Sequence, residues 1–384
     1  MVETDTTTVE QEYFDNEPTG VEVEEQEYQL DVPWDPEKIR VATKQFSVRN
    51  ILDLIDENGI ELAPDFQRNR VWQLRQKSRL IESLLLQIPL PAFYFAETRD
   101  GVYRVVDGLQ RLSTINSYAR GDLAESFVLK DLEYLTKEAE GKRFNELSPQ
   151  WRRRIHNTQL VVHVIDPTTP ARVTFDIFKR INTGGTPLKA QEIRHCMSNT
   201  RSRSFLKECA ELDEFQKATG GSLLHSVRMD DREAVLRFCA FRILGVEGYL
   251  AGGRRAMDAF LMDATQQLDD HAVVSDSDLA EVRNDFKRAM VNSLTVFGEH
   301  AFRKWSLATQ HRNPINKPLF ESWSVALADA SPAMAEGNRE SIARRARELM
   351  TDDFTYLDSI STGTGDPRKV EYRFDTARQA VLGK

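Results

Sequence analysis

At 384 residues, with 40% apolar and 9% aromatic content, the chain has material for one large or two ordinary folded domains and a sizeable core. No apolar stretch approaches the roughly 20 residues that a bilayer span needs, and the N-terminus has neither a basic start nor an apolar signal region, so a cytoplasmic protein with no membrane partner is expected. The formal net charge of −9 speaks against a nucleic-acid surface only until it is divided along the chain: residues 1 to 31 carry eleven acids and no Lys or Arg, and the body that follows is near neutral.

Residues 1–40 therefore read as an acidic, solvated and disordered tail, because a like-charged, Thr- and Glu-rich segment buries too little to offset its ordering entropy. On that reading, deleting residues 1–31 leaves thermal stability unchanged. The sharper alternative is an acidic strand that competes with nucleic acid for a basic groove. Past the tail, β-rich runs alternate with helices over about 41–168, and from 169 to 384 nearly every segment has helical spacing. This predicts an α+β protein: an α/β N-terminal domain followed by a mostly helical C-terminal domain.

In "FSVRNILDLIDENG", Val48, Ile51, Leu52 and Ile55 fall at helical spacing, with Gly59 as the stop. After the proline-punctuated "LAPDFQRNRVW", the stretch "QLRQKSRLIESLLLQIPLP" puts Leu80, Leu84, Leu85 and Ile88 on one helical face and ends at Pro89 and Pro91. "AFYFAETRDGVYRVVDG" reads as a hairpin turning at Asp100 and Gly101. Its second strand runs into "VVDGLQRLSTI", where Asp107 ends the strand, Gly108 can take a backbone geometry closed to other residues, and a helix begins with Leu112, Ile115 and Tyr118 turned inward.

Such a strand-to-helix corner offers free backbone N–H groups and the positive end of a helix dipole to an anion, and Arg111 in the first turn can grip a phosphate in bidentate fashion. The plain alternative is a capped turn, with Asp107 capping the helix and Arg111 paired to a surface acid. Two further loops repeat the chemistry. One offers Gln67 and Arg68 beside Arg70 and a potential stacking surface in Trp72. The other, "FKRINTGGTPLKAQEIRHC", ends a helix at Arg180 and follows it with Asn182, Thr183, Gly184 and Gly185 before Thr186 and Pro187 start the next.

Taken in order, "PDFQRNRVW", "IESLLLQIPLP", "YRVVDGLQRLSTI" and "FKRINTGGTPLKAQEIR" resemble the N-terminal domain of GmrSD-type modification-dependent restriction systems over about residues 46 to 200. That family's hallmark is Asp-Gly-Gln-Gln-Arg. Leu109 stands here at its first Gln, with Asp107, Gly108, Gln110 and Arg111 in place. The resemblance implies a ParB/sulfiredoxin-like fold whose corner binds the phosphates of a nucleotide, within anti-phage defence. It also implies that Arg68 and Arg111 hold phosphates, with Gln67 beside them. Gly108 and the Asn182, Thr183, Gly184 loop would supply N–H groups, Arg180 would close the pocket, and Asp107, with Gln110 and Arg111 as the catalytic set, would orient a divalent metal such as Mg or the attacking water. Asp107 remains open as a helix cap alone.

Binding and hydrolysis of a nucleoside triphosphate is thus the expectation. A non-catalytic module contacting DNA or a partner, such as a separately encoded nuclease, is the alternative, and a stand-alone nuclease the third. An HNH nuclease site is not expected, because "HRNPIN" offers His311 and Asn313 with no further His downstream. That stretch reads as a polar loop before a helix. "WRRRIHNTQLVVHVID" is the strongest basic cluster, and with 29% charged residues in the chain it reads as a solvated face. Cys196, Cys209 and Cys239 lack metal spacing and read as buried thiols.

Overall fold

The computed structural model describes residues 9–24, 36–62, 72–121, 126–181, 188–224, 226–252, 257–309 and 311–383. The chain divides into two units, Trp34–Met197 and Met1–Pro33 with Ser198–Lys384. The first carries the sheet and the second is mostly helical, so the α+β class read from the sequence holds.

A hairpin of β1 (Gln11–Phe14) and β2 (Glu17–Glu22) begins the described chain, and the sheet unit follows with β3 (Val41–Ser47) and α1 (Val48–Asp56). Ser47 starts α1 by accepting a 3.2 Å bond from the Asn50 amide. The helix ends three residues before Gly59, because Asn58 itself takes the left-handed conformation (φ 59°). After β4 (Ile60–Glu61) comes α2 (Leu74–Leu86), closed by Gln87 at φ 60°. Ile88, read as part of that apolar face, therefore lies beyond the helix and is 48% exposed.

The hairpin of β5 (Phe93–Glu97) and β6 (Tyr103–Asp107) turns at Asp100 and Gly101 as the sequence predicts. The corner then opens α3 (Leu109–Arg120), with Leu112, Ile115 and Tyr118 buried. Then come α4 (Pro149–Asn157), β7 (Gln159–Ile165), α5 (Ala171–Ile181) and α6 (Ala190–Met197). The five-stranded sheet has the order β3-β7-β5-β6-β4, antiparallel at β3/β7 and β5/β6 and parallel at β5/β7 and β4/β6. Phe93, Phe95, Val162 and Val164 fill its inner side, with Ile51, Leu52, Ile81, Leu84 and Leu85 supplied by helices.

The domain boundary differs from the change of texture at 169. Helices α5 and α6 belong to the sheet unit, tied to it where Arg104 Nη1 on β6 donates to the Met197 carbonyl at 2.8 Å. Helical spacing alone does not say which core a helix packs against.

The acidic segment differs more. Residues 9–24, read as part of a solvated tail, form the β1/β2 hairpin, and Val21 is 1% exposed within the core of the helical unit. Backbone bonds from Ile315 N to Gly20 O (2.8 Å) and from Glu22 N to Ile315 O (2.9 Å) fix it there. Its carboxylates join the buried charges of the helical unit. Glu24 pairs with Arg237 at 2.6 Å and accepts from Thr364, while Glu22 pairs with Lys304 at 2.6 Å and accepts from Asn316.

Arg237 also meets Glu233 and Glu321, Glu321 is bonded to Arg373, and Lys317 lies 3.2 Å from Glu233. Burial raises the Glu24 carboxyl, but Arg237 and Lys317 outweigh it and leave the group below its ordinary range. Charges this deeply buried persist only when paired.

Cys196, Cys209 and Cys239 are free and buried, and burial pushes the Cys209 thiol up to about 12, so it stays protonated. The "HRNPIN" loop is structural: Arg312 bonds the Thr219 carbonyl at 2.9 Å, Asn313 bonds the Lys304 carbonyl, and Asn316 caps the helix Lys317–Ala328. Among the described residues no helix is long and apolar enough to cross a membrane.

Candidate phosphate-binding corner

Gly108 makes the corner possible. Its φ of 95° lies in the left-handed region, and a Cβ there would sit 2.8 Å from Cε1 of Phe93, which is fully buried. Gly108→Ala is therefore expected to cost the sheet unit about 2–4 kcal/mol from backbone strain and overpacking together. A denaturant midpoint equal to wild type would contradict this.

The residues after Gly108 leave the helix start open. The first turn of α3 contains no acid and receives no side-chain cap, so Asp107 does not cap it. The Gln110 side-chain nitrogen is buried without a hydrogen-bond partner among the described residues. Arg111, 12% exposed, lies with its guanidinium carbon 4.4 Å from the Phe93 ring centre and donates to the carbonyls of Pro91 and Ala92. Its Nη2 is 3.0 Å from Oδ2 of Asp107, one helical turn away and 37% exposed. Burial lowers the Arg111 pKa and the Asp107 charge acts against that, so the guanidinium remains a cation.

The sheet register extends the corner. Thr43 pairs with His163, His163 with Tyr94, and Tyr94 with Asp107, so one row of partners crosses four strands and ends at the site. The register shifts between Tyr94 and Phe95, an irregularity of the kind that re-aims residues beside functional sites. Thr43 Oγ1 lies 3.0 Å from Nδ1 of His163, whose ring is 4.9 Å from that of Tyr94. Sequence reading did not single out Tyr94, His163 or Phe93. Histidine inside the apolar run "LVVHVI" was the available signal.

Asp107, Gly108, Gln110 and Arg111 come together by adjacency. Arg180 is exposed on the last turn of α5. Gln67 and Arg68, with Arg70, and likewise Asn182, Thr183 and Gly184, lie outside the described residues. Trp72 is half-buried just before α2. In the basic cluster, Arg154 stacks 5.0 Å from the Trp151 ring and bonds the Leu85 carbonyl, which makes it a structural residue.

Among the described residues no group of three His, Cys, Asp or Glu side chains could hold a metal ion. Among the described residues the corner has one carboxylate, Asp107, and it is already paired with Arg111. The described residues of the corner do not by themselves make a resident Mg site.

No curated protein matches the chain. Residues 49–197 match the family described as the GmrSD restriction endonuclease, N-terminal domain, a stretch that ends with the sheet unit at Met197 and contains the whole corner. Residues 49–197 are thus similar to a GmrSD N-terminal domain, described as that of a restriction endonuclease.

Proposed function

We propose that the sheet unit is a ParB-like module that binds a nucleoside triphosphate at the Gly108 corner and hydrolyses it within an anti-phage restriction system. One observation supports this above the others: an uncapped helix start carries both a mostly buried guanidinium and a buried amide nitrogen with no partner. Unpartnered buried donors are rare, and donors converging on a helix N-terminus suit an anion. Arg111 grips a terminal phosphate, Gln110 donates to it, and backbone N–H groups of the first turn complete the cradle. The family resemblance adds Gln67, Arg68, Arg180 and Asn182, Thr183 and Gly184 as further phosphate contacts.

Asp107 orients the attacking water in this reading. Asp107→Asn keeps the shape and still accepts from Arg111, so it is expected to spare binding and abolish phosphate release. A screen with all four triphosphates, with and without DNA, measures both quantities. Release at the wild-type rate in Asp107→Asn would remove Asp107 from catalysis.

The pairing of Asp107 with Arg111 favours a second reading, a binding module that switches a DNA or nuclease partner without turnover. Binding without phosphate release in the wild-type chain is its signature.

A further inference from the structure

The row of strand partners that ends at Asp107 carries an aromatic pair that the phosphate corner leaves unused. Tyr94 and His163 are half-buried, with ring centres 4.9 Å apart and planes 35° from parallel. The His163 ring is fixed at Nδ1 by Thr43. Neither its Nε2 nor the Tyr94 hydroxyl has a hydrogen-bond partner among the described residues. Adjacent strands lie about 4.8 Å apart, which puts the Tyr94 backbone about 5 Å and the His163 backbone about 10 Å from that of Asp107. A nucleotide held by its terminal phosphates at the corner has its base at such a remove.

We propose that Tyr94 and His163 form the nucleobase subsite, where a base stacks on the aromatic pair. This rests on the phosphate-corner reading and adds to it the identity of the far end of the ligand. With centres 4.9 Å apart and planes 35° from parallel, the two rings partly cover one another and leave an outer ring face on which a base can stack. Stacking on such side chains is sequence-tolerant and worth about ten- to a hundredfold in affinity per base. The Nε2 of His163 and the Tyr94 hydroxyl lie in their ring planes and are left to meet the sugar or solvent beside the stacked base.

The test is calorimetric titration of the full chain with a purine triphosphate, a pyrimidine triphosphate and inorganic tripolyphosphate, repeated on Tyr94→Ala and Tyr94→Phe. Wild type is expected to bind the nucleotides about ten- to a hundredfold more tightly than tripolyphosphate. Tyr94→Ala is expected to erase that difference while tripolyphosphate binding persists, which also shows that the variant is folded. Tyr94→Phe is expected to keep most of the preference. Equal binding of tripolyphosphate and nucleotide by wild type, or an undiminished preference in Tyr94→Ala, overturns the subsite and leaves the corner standing. Binding of neither ligand by wild type overturns both.

Discussion

Deleting residues 1–24 is expected to lower the melting temperature of the helical unit by roughly 10–20 °C, against the stability-neutral result that charge counting predicts. Val21 is 1% exposed, and returning such a side chain to water costs about 1.5–3 kcal/mol. Loss of the charged hydrogen bonds of Glu24 to Arg237 costs about 1.5–3 kcal/mol more. Loss of Glu22 leaves Lys304 without its acid.

Glu24→Gln isolates the charge term. The cluster holds Asp230, Glu233 and Glu321 besides Glu24, facing Arg237, Lys317 and Arg373, so neutralising Glu24 leaves no lone buried cation and the cost stays near 1.5–3 kcal/mol. The pH dependence has a definite sign. The folded carboxyl lies below its ordinary value, so its contribution is in full force above the ordinary carboxylate range and is lost as pH falls through the folded pKa. A melting curve within 2 °C of wild type after deletion, in an experiment able to resolve about that much, would show that the hairpin does not dock.

Arg111 carries the second large effect. Arg111→Ala is expected to weaken triphosphate binding about ten- to a hundredfold, the equivalent of roughly 1.5–3 kcal/mol for a charge-assisted contact. The structure changes what else is expected of this variant. Arg111 ties the carbonyls of Pro91 and Ala92 and covers Phe93, so the alanine also loosens the start of β5 and lowers the stability of the sheet unit. Arg111→Lys separates the two roles: it keeps a cation and an aliphatic stem over Phe93 but loses the planar fork. Binding that falls in Arg111→Lys with little change in melting temperature places the fork on the phosphate.

What the sequence made legible was local. The Asp100–Gly101 turn, the two short strands β5 and β6 that it joins, and the strand-glycine-helix corner all depend on residues within a few positions of one another, and each appears at its expected place. The pairing of Asp107 with Arg111 spans four residues and was still not anticipated, since the arginine was assigned either a phosphate or a surface acid.

The acidic segment was misread because its partners are distant. Glu24 meets Arg237 across 213 positions and Glu22 meets Lys304 across 282, and a local excess of acid gives no hint of buried cations so far along the chain. The Tyr94 and His163 pair was hidden for the same reason, since it exists only once β7 lies beside β5.

The central claim is that the Gly108 corner holds phosphate through Arg111. Its most direct test is titration of the wild-type chain and Arg111→Lys with a nucleoside triphosphate, alongside thermal melts of both proteins. The account predicts saturable binding by wild type and about ten- to a hundredfold weaker binding by the lysine variant at an essentially unchanged melting temperature. Equal affinity in the two proteins, or no binding by wild type, would contradict it.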